Sequence, residues 1–291
     1  MAGRLERKVA IVTGAATGIG EAIAHKFAKE GAKVVVNGLA DDPVDDVVSA
    51  IKQQGGQAVG CKADVSEEIG AQQCVETAIQ QWGGLDILIN NAGVFLVASD
   101  TADYPIDLFD KTIWMNIRSV FLMTKYALPH LQKSNGVIVS AGSEAGIMGE
   151  PYNTVYGGTK GWIHAFMRGV AVEQANHGVR ANCVCPGPVD TAWTHKSMSP
   201  MDTEMEMTFL GATPMGRRGT VEEIANVYAF LASDEASYVT GALWSVDGGI
   251  TTSKGMVGMK ADKDLRQEPP VTLDVQHTYD GLKNKDTREI K

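Results

Sequence analysis

Cysteine is scarce in this chain of 291 residues: there are four, at positions 61, 74, 183 and 185, with one C-x-C pair and no C-x-x-C. With no apolar targeting segment ahead of the first strand in MAGRLERKVAIVTG, that usage sets aside a disulfide framework and predicts buried thiols in a cytoplasmic protein. Long apolar runs are missing too. The longest are strand-sized, far short of the roughly 20 residues a membrane-crossing helix needs, so no membrane partner is expected. Positive charge is in deficit, with 26 Lys and Arg against 35 Asp and Glu and a net charge of −9, which argues against nucleic acid as a partner. No linker divides residues 1 to 250, and no metal enters the reading.

What the chain does have begins at KVAIVTGAATGIGEA, residues 8 to 22. Val9, Ala10, Ile11 and Val12 make a short buried strand, Thr13-Gly14 breaks it, and Ile19, Ala22, Ile23 and Phe27 follow at helical spacing. A strand, a glycine-rich turn and a helix form a frame for a dinucleotide pyrophosphate, because helix-terminal N–H groups point at the anion and glycines let the backbone come close. The spacing is G-x-x-x-G-x-G, one residue wider than the usual fingerprint. Taken alone, the same stretch also reads as a glycine-rich turn with no ligand.

The pattern then repeats. Strands are predicted at 33–36, 58–62, 85–89, 136–140, 179–185 and 242–246, and helices at 43–54, 67–82, 106–132, 155–176 and 221–233. Apolar strands alternating with helices specify a parallel sheet covered on both faces. The expected fold is therefore α/β, a doubly wound parallel sheet of about seven strands in a single catalytic domain spanning 1–253. Its ligand crevice lies at the carboxyl ends of the strands. Residues 190–213 carry Trp193, Met198, Met201, Met205, Met207 and Phe209 between proline-marked boundaries, which suits a substrate lid or a pair of short surface helices. Residues 254–291 are charged and lose periodicity; disorder and docking on an oligomer are both open.

Three local features carry chemistry. Tyr156 and Lys160 stand four apart on a predicted helix, so phenol and ammonium share a face, and a nearby cation stabilises phenolate. Ser143, at the end of the fifth strand, reaches the same crevice and can donate to a carbonyl or alkoxide oxygen. Asn116 sits inside a predicted helix, where asparagine invites a special reason, the plainer reading being a cap or kink at a helix junction. A Tyr-to-Lys pair alone is also what a surface contact looks like.

These motifs together resemble the short-chain dehydrogenase/reductase family from about residue 5 to about 250. The cofactor motif stands as Thr13-Gly14-Ala15-Ala16-Thr17-Gly18-Ile19-Gly20, N-N-A-G as Asn90-Asn91-Ala92-Gly93, and Y-x-x-x-K as Tyr156 to Lys160. The family serine and helix asparagine match Ser143 and Asn116, and the P-G segment matches Pro186-Gly187, with Val189 and Thr191 following.

The resemblance implies hydride transfer between a nicotinamide and a secondary alcohol or ketone, with Tyr156 as acid/base and Lys160 lowering its pKa and holding the nicotinamide ribose. It gives Ser143 the substrate oxygen and Asn116 a water of a proton relay. Gly14, Thr17, Gly18, Ile19 and Gly20 would surround the pyrophosphate, Asp64 and Val65 the adenine, and Asn90 the adenosine ribose. Gly38, Leu39, Ala92, Gly93, Pro186, Gly187, Val189 and Thr191 complete the cofactor site. It also implies a homotetramer built on helices 106–132 and 155–176.

Departures from the family pattern bear on the cofactor. Gly38 stands where NAD-preferring members usually carry aspartate, and neither Thr17 nor Leu39 is basic. With no cation at 37–42 and with Asp41 and Asp42 nearby, NAD is expected over NADP. Glu144, Asn153 and Trp193 are candidate substrate residues beside Ser143 and Tyr156, with Glu150, His195 and Met198 near them. Glu144 would receive the hydroxyls of a polyol or sugar; on the plainer reading it satisfies loop N–H groups. Trp193 and the methionines would equally line a pocket for a steroid, a ring ketone or an acyl chain. A non-redox enzyme on the same scaffold and a nucleotide-binding scaffold protein remain the alternatives.

Overall fold

The computed structural model describes residues 3–191 and 203–253. Trp193, His195, Met198, Met201 and the charged tail 254–291 lie outside the described residues.

Seven strands form one sheet: β1 (Val9–Val12), β2 (Lys33–Gly38), β3 (Gln57–Lys62), β4 (Ile87–Asn90), β5 (Val137–Ala141), β6 (Arg180–Pro186) and β7 (Leu243–Val246). The order is β3-β2-β1-β4-β5-β6-β7, and each neighbouring pair is parallel. The chain thus runs outward from β1 in one direction, returns, and runs outward from β4 in the other. The reversal opens a crevice above the carboxyl ends of β1 and β4.

Alternation along the strands explains the two covered faces. Ala10, Val12, Val34, Val36 and Ile89 pack on one side against α1 (Gly18–Lys29), α2 (Val44–Gln53) and α8 (Val221–Ala232), around fully buried Ile23, Phe27 and Tyr228. Val9, Ile11, Val35, Leu88 and Ile138 face the other way. They meet α3 (Glu68–Trp82), α5 (Ser119–Ser134) and α6 (Thr154–Gln174). Each large aliphatic removed from water in this way stabilises the fold by about 1.5–3 kcal/mol. The four cysteines are buried and free, as the composition predicts. Among the described residues no helix is long and apolar enough to cross a membrane.

Polar anchors fix the elements that matter for the site. Thr220 and Glu223 form a reciprocal capping box at the start of α8, and Arg217 grips the Glu223 carboxylate at 2.7 and 2.9 Å. Arg180, on β6, donates to the Leu231 and Ser233 carbonyls at 2.9 and 3.1 Å, tying the far end of α8 to the sheet.

The single helix expected at 106–132 is instead three pieces: α4 (Ile106–Ile113), a π-helical turn (Trp114–Arg118) and α5. The extra residue of the π turn accommodates Asn116, whose side chain leaves the helix to bond Val94. Within the expected lid, the described part is helical, α7 (Thr203–Ala212).

Candidate active site

The glycine turn is shaped by what cannot be added to it. Gly14 and Gly18 hold φ of +59° and +57°, where side chains are strained, and a Cβ on Gly14 would lie 2.9 Å from Ala92 Cα. A Cβ on Gly20 would stand 2.1 Å from the Gly14 carbonyl oxygen. At Gly18 only the Thr191 methyl comes near, at 3.8 Å, so that side is open.

Asn91 locks the turn in place. Its Nδ2 donates to the Thr13 and Gly14 carbonyls at 3.0 and 3.1 Å, while Thr13 Oγ1 accepts from the Asn91 and Ala92 N–H groups at 3.0 Å each. Thr17, at the N-cap of α1, makes no side-chain capping bond, which leaves first-turn N–H groups for an anion.

A cavity of about 530 Å³ opens above this turn and runs along the strand ends. At its coenzyme end it is lined by Gly14, Thr17, Gly18, Ile19, Gly20, Gly38, Leu39, Asp64 and Val65. Ala92, Gly93, Pro186, Gly187, Val189 and Thr191 line it further along, and Ser143, Glu144, Asn153, Tyr156 and Lys160 line its other end. The structure therefore brings these sequence-predicted residues to one volume.

Two of the predicted residues turn their side chains away from the cavity. Asn90 is turned into the core, where Nδ2 donates to Thr124 Oγ1 and Ser140 Oγ, both at 3.2 Å, and it does not line the cavity. Its side chain is thus committed to the core, and only its backbone stands at the strand end toward the expected adenosine ribose. The reason is strand alternation: Asn91, the next residue, faces the turn instead. Asn116 lies behind the wall, its Oδ1 accepting from Val94 N–H at 2.7 Å and its Nδ2 donating to Val94 O at 2.9 Å and Thr159 Oγ1 at 3.2 Å. Both amide protons are thus used in holding the Gly93–Val94 segment against α6. A third residue, Trp193, is among those outside the described residues.

At the reactive end Lys160 is buried and Tyr156 half-buried. Tyr156 follows the start of α6; burial pushes its phenol well above the usual range, a hydrogen bond from Ser143 opposes the shift, and Glu150 and Glu144 reinforce it. Lys160 is 4 % exposed, its Nζ donating to the Ala141 carbonyl at 2.8 Å and standing 5.4 Å from the Tyr156 ring centroid. Burial pushes the lysine down to about 8. The Lys160 ammonium is thus held between the end of β5 and the Tyr156 ring. Phe95 packs on Tyr156 with ring centroids 5.4 Å apart.

Ser143 is positioned from behind by His164, whose Nε2 accepts from the Ser143 N–H at 3.4 Å and lies 3.3 Å from Cys185 Sγ. Burial pushes His164 down to about 4, with Lys160 adding to the shift and a bond to the Gly146 backbone opposing it. The imidazole is therefore neutral at neutral pH. His164 stands alone in GWIHAFMRG with no motif around it, so its place behind Ser143 is not legible in the sequence.

Asp42 is a further cavity residue. Its carboxylate folds back over Gly38 and accepts the Leu39 N–H at 2.6 Å, and a Cβ on Gly38 would come within 2.9 Å of Asp42 Oδ2.

The family model described as enoyl-(acyl carrier protein) reductase matches residues 14–251. The chain belongs to the short-chain dehydrogenase/reductase family. Its activity is of the NAD(P)-dependent oxidoreductase class typical of that fold. Glucose 1-dehydrogenase 2 of Bacillus subtilis is 38% identical over 250 residues, covering 85% of this chain and 96% of that protein. Meso-2,3-butanediol dehydrogenase of Serratia marcescens is 37% identical over 252 residues, covering 87% and 98%. Among solved structures, a 3-ketoacyl-(acyl-carrier-protein) reductase from Brucella melitensis complexed with NADH aligns with a TM-score of 0.78 at 32% identity, covering 85% of this chain and 99% of that one. Relatives at similar distance thus differ in the substrate they are named for, and the family alone does not choose among them.

Proposed function

We propose that this protein interconverts a secondary alcohol and its ketone, with NAD preferred over NADP. The observation that carries the reading is the shared cavity: the open glycine turn lies at one end, and Ser143, Tyr156 and Lys160 line the other. A nicotinamide dinucleotide fits the first end, where the uncapped helix N-terminus and the side-chain-free turn receive a pyrophosphate. When bound, the nicotinamide supplies the hydride donor or acceptor and, in its oxidised form, a positive charge.

The chain's own residues do the rest. Ser143 donates to the substrate oxygen and aligns it with the Tyr156 hydroxyl. Tyr156 gives that oxygen its proton in reduction and takes it back in oxidation. Lys160, buried and cationic, favours phenolate over phenol as charge develops, while the Asn116 clamp on Val94 holds the floor of the site against α6. Burial of Lys160 strengthens its electrostatic effect on the site.

Asp42 supports the choice of NAD. Its carboxylate covers Gly38, in the place left by the missing strand-end acid, where it can accept a ribose hydroxyl and repel a 2′-phosphate. Helix α7, whose Leu210 lines the cavity, serves as part of the substrate cover. Exposed Phe109, Phe121 and Val172 on α4, α5 and α6 support assembly of copies through those helices.

A panel of secondary alcohols assayed with NAD and NADP by reduced-nicotinamide absorbance tests the reading. Turnover that is lost in Tyr156→Phe while NADH still binds is the expected result. Unchanged turnover in that variant would remove Tyr156 from its role.

A further inference from the structure

The substrate end of the cavity contains three buried oxygens that have no hydrogen-bond partner among the described residues: Glu144 Oε2, Glu150 Oε1 and Asn153 Oδ1. All three residues line the cavity that Ser143 and Tyr156 share. Glu144 is 6 % exposed and follows Ser143 directly, on the short turn Glu144–Gly146. That turn is closed without the carboxyl group: the Ile147 and Met148 N–H groups donate to the Glu144 backbone carbonyl at 2.8 and 3.0 Å. The Glu144 side chain therefore does not satisfy its own loop. Glu150 and Asn153 are joined to each other, with Asn153 Nδ2 donating to Glu150 Oε2 at 2.6 Å, which fixes the pair with its remaining oxygens unspent.

Burying polar atoms without partners is costly, and three on one wall imply a ligand that completes them. We propose that this site is built for a vicinal polyol: a secondary carbinol whose oxygen is held by Ser143 and Tyr156, with hydroxyls on neighbouring carbons received by Glu144, Glu150 and Asn153. This rests on the redox reading above and names its substrate class.

The electrostatics favour hydroxyls over the other groups that could meet these oxygens. Burial, with the Glu150 and Asp247 charges, pushes Glu144 up to about 9, and burial raises Glu150 as well. At neutral pH Glu144 is a carboxylic acid that both donates and accepts, as a hydroxyl does. A substrate carboxylate would face acids on this wall. An acyl chain or a plain ring ketone would leave the three oxygens unpaired. In oxidation, the carbinol C–H bond breaks and its hydride passes to the oxidised nicotinamide, and the O–H proton passes to Tyr156. The neighbouring hydroxyl is untouched, so the product is an α-hydroxy ketone and the dihydronicotinamide.

The test uses the full chain with NAD and two matched pairs, butan-2-ol with butane-2,3-diol and cyclohexanol with cyclohexane-1,2-diol. The expected result is a kcat/KM for the diol about 100-fold above that for its mono-alcohol, because a site built to bond a hydroxyl rejects the analogue lacking it. Glu144→Leu should collapse that ratio toward unity, with NADH fluorescence confirming that the variant is folded. Glu144→Gln, which keeps one donor and one acceptor, should retain most of the preference. A mono-alcohol turned over as well as its diol overturns the proposal and leaves the redox reading standing, as does an unchanged ratio in Glu144→Leu. Preference for a 1,2-amino alcohol over the diol overturns it in favour of a cation. Failure of every alcohol and of the corresponding ketones in a protein that binds NADH overturns the redox reading itself.

Discussion

The two ends of the cavity are built by different means. The coenzyme end is made of backbone and of missing side chains: Gly14, Gly18 and Gly20 at the turn, fixed by Asn91 and Thr13. The substrate end is made of individual side chains on α6 and the loop before it, several with polar atoms left over. An anion can be bound by any sequence that leaves room for amides, so that end depends on the missing Cβ atoms of Gly14 and Gly20 more than on particular side chains. A substrate has to be met atom by atom, so its end changes with each side chain. This difference explains why the family shares one coenzyme class while its members are named for glucose, a butanediol and an acyl carrier protein conjugate.

Substitutions can break this contrast or sharpen it. The largest effect is expected at the substrate end: Tyr156→Phe should lower kcat about 1,000-fold with NADH affinity nearly unchanged, read by steady-state rates beside coenzyme fluorescence. Gly14→Ala should do the reverse. Its φ of +59° and the 2.9 Å approach to Ala92 Cα predict a coenzyme affinity about 100-fold weaker, measured by the same fluorescence titration. If Gly14→Ala bound NADH normally, the account of that end as a space no side chain can share would be wrong.

A third test concerns the wall behind Ser143. Burial holds His164 at about 4 against the usual 6.5, so the unfolded chain binds the extra proton between those values and the folded chain does not. That part of the stability is complete above pH 6.5 and is lost as pH falls toward 4. Urea titrations should show a decline of about 2 kcal/mol between pH 7 and pH 5 from this group, and His164→Asn should flatten it. The smallest effect is expected at the coenzyme's far end: Asp42→Ala should raise the NADP-to-NAD ratio of kcat/KM about 10-fold.

Much of this architecture is legible in the sequence because it depends on short-range pattern. Apolar runs alternating with amphipathic stretches give the doubly wound sheet, and the glycine spacing and the i, i+4 tyrosine and lysine give both ends of the cavity. The π turn at Asn116 is not legible, since one extra residue in a helix leaves the apolar spacing on either side intact. Nor does an asparagine doublet at a strand end say which member faces the core; here Asn90 does, and Asn91 serves the glycine turn. Asp42 reads as one of several aspartates in an acidic stretch until the chain folds it back over Gly38. Glu144, Glu150 and Asn153 meet only because a loop without periodicity curls around the start of α6.

The two ends of the cavity act on one substrate carbon. A crystal structure of the protein with NADH and an unreactive polyol analogue tests it most directly. The reactive nicotinamide carbon should lie roughly 3–3.5 Å from the carbon whose oxygen is bonded to Tyr156 and Ser143. A bound coenzyme whose ring lies well away from that oxygen, with α7 closed over the site, would contradict it.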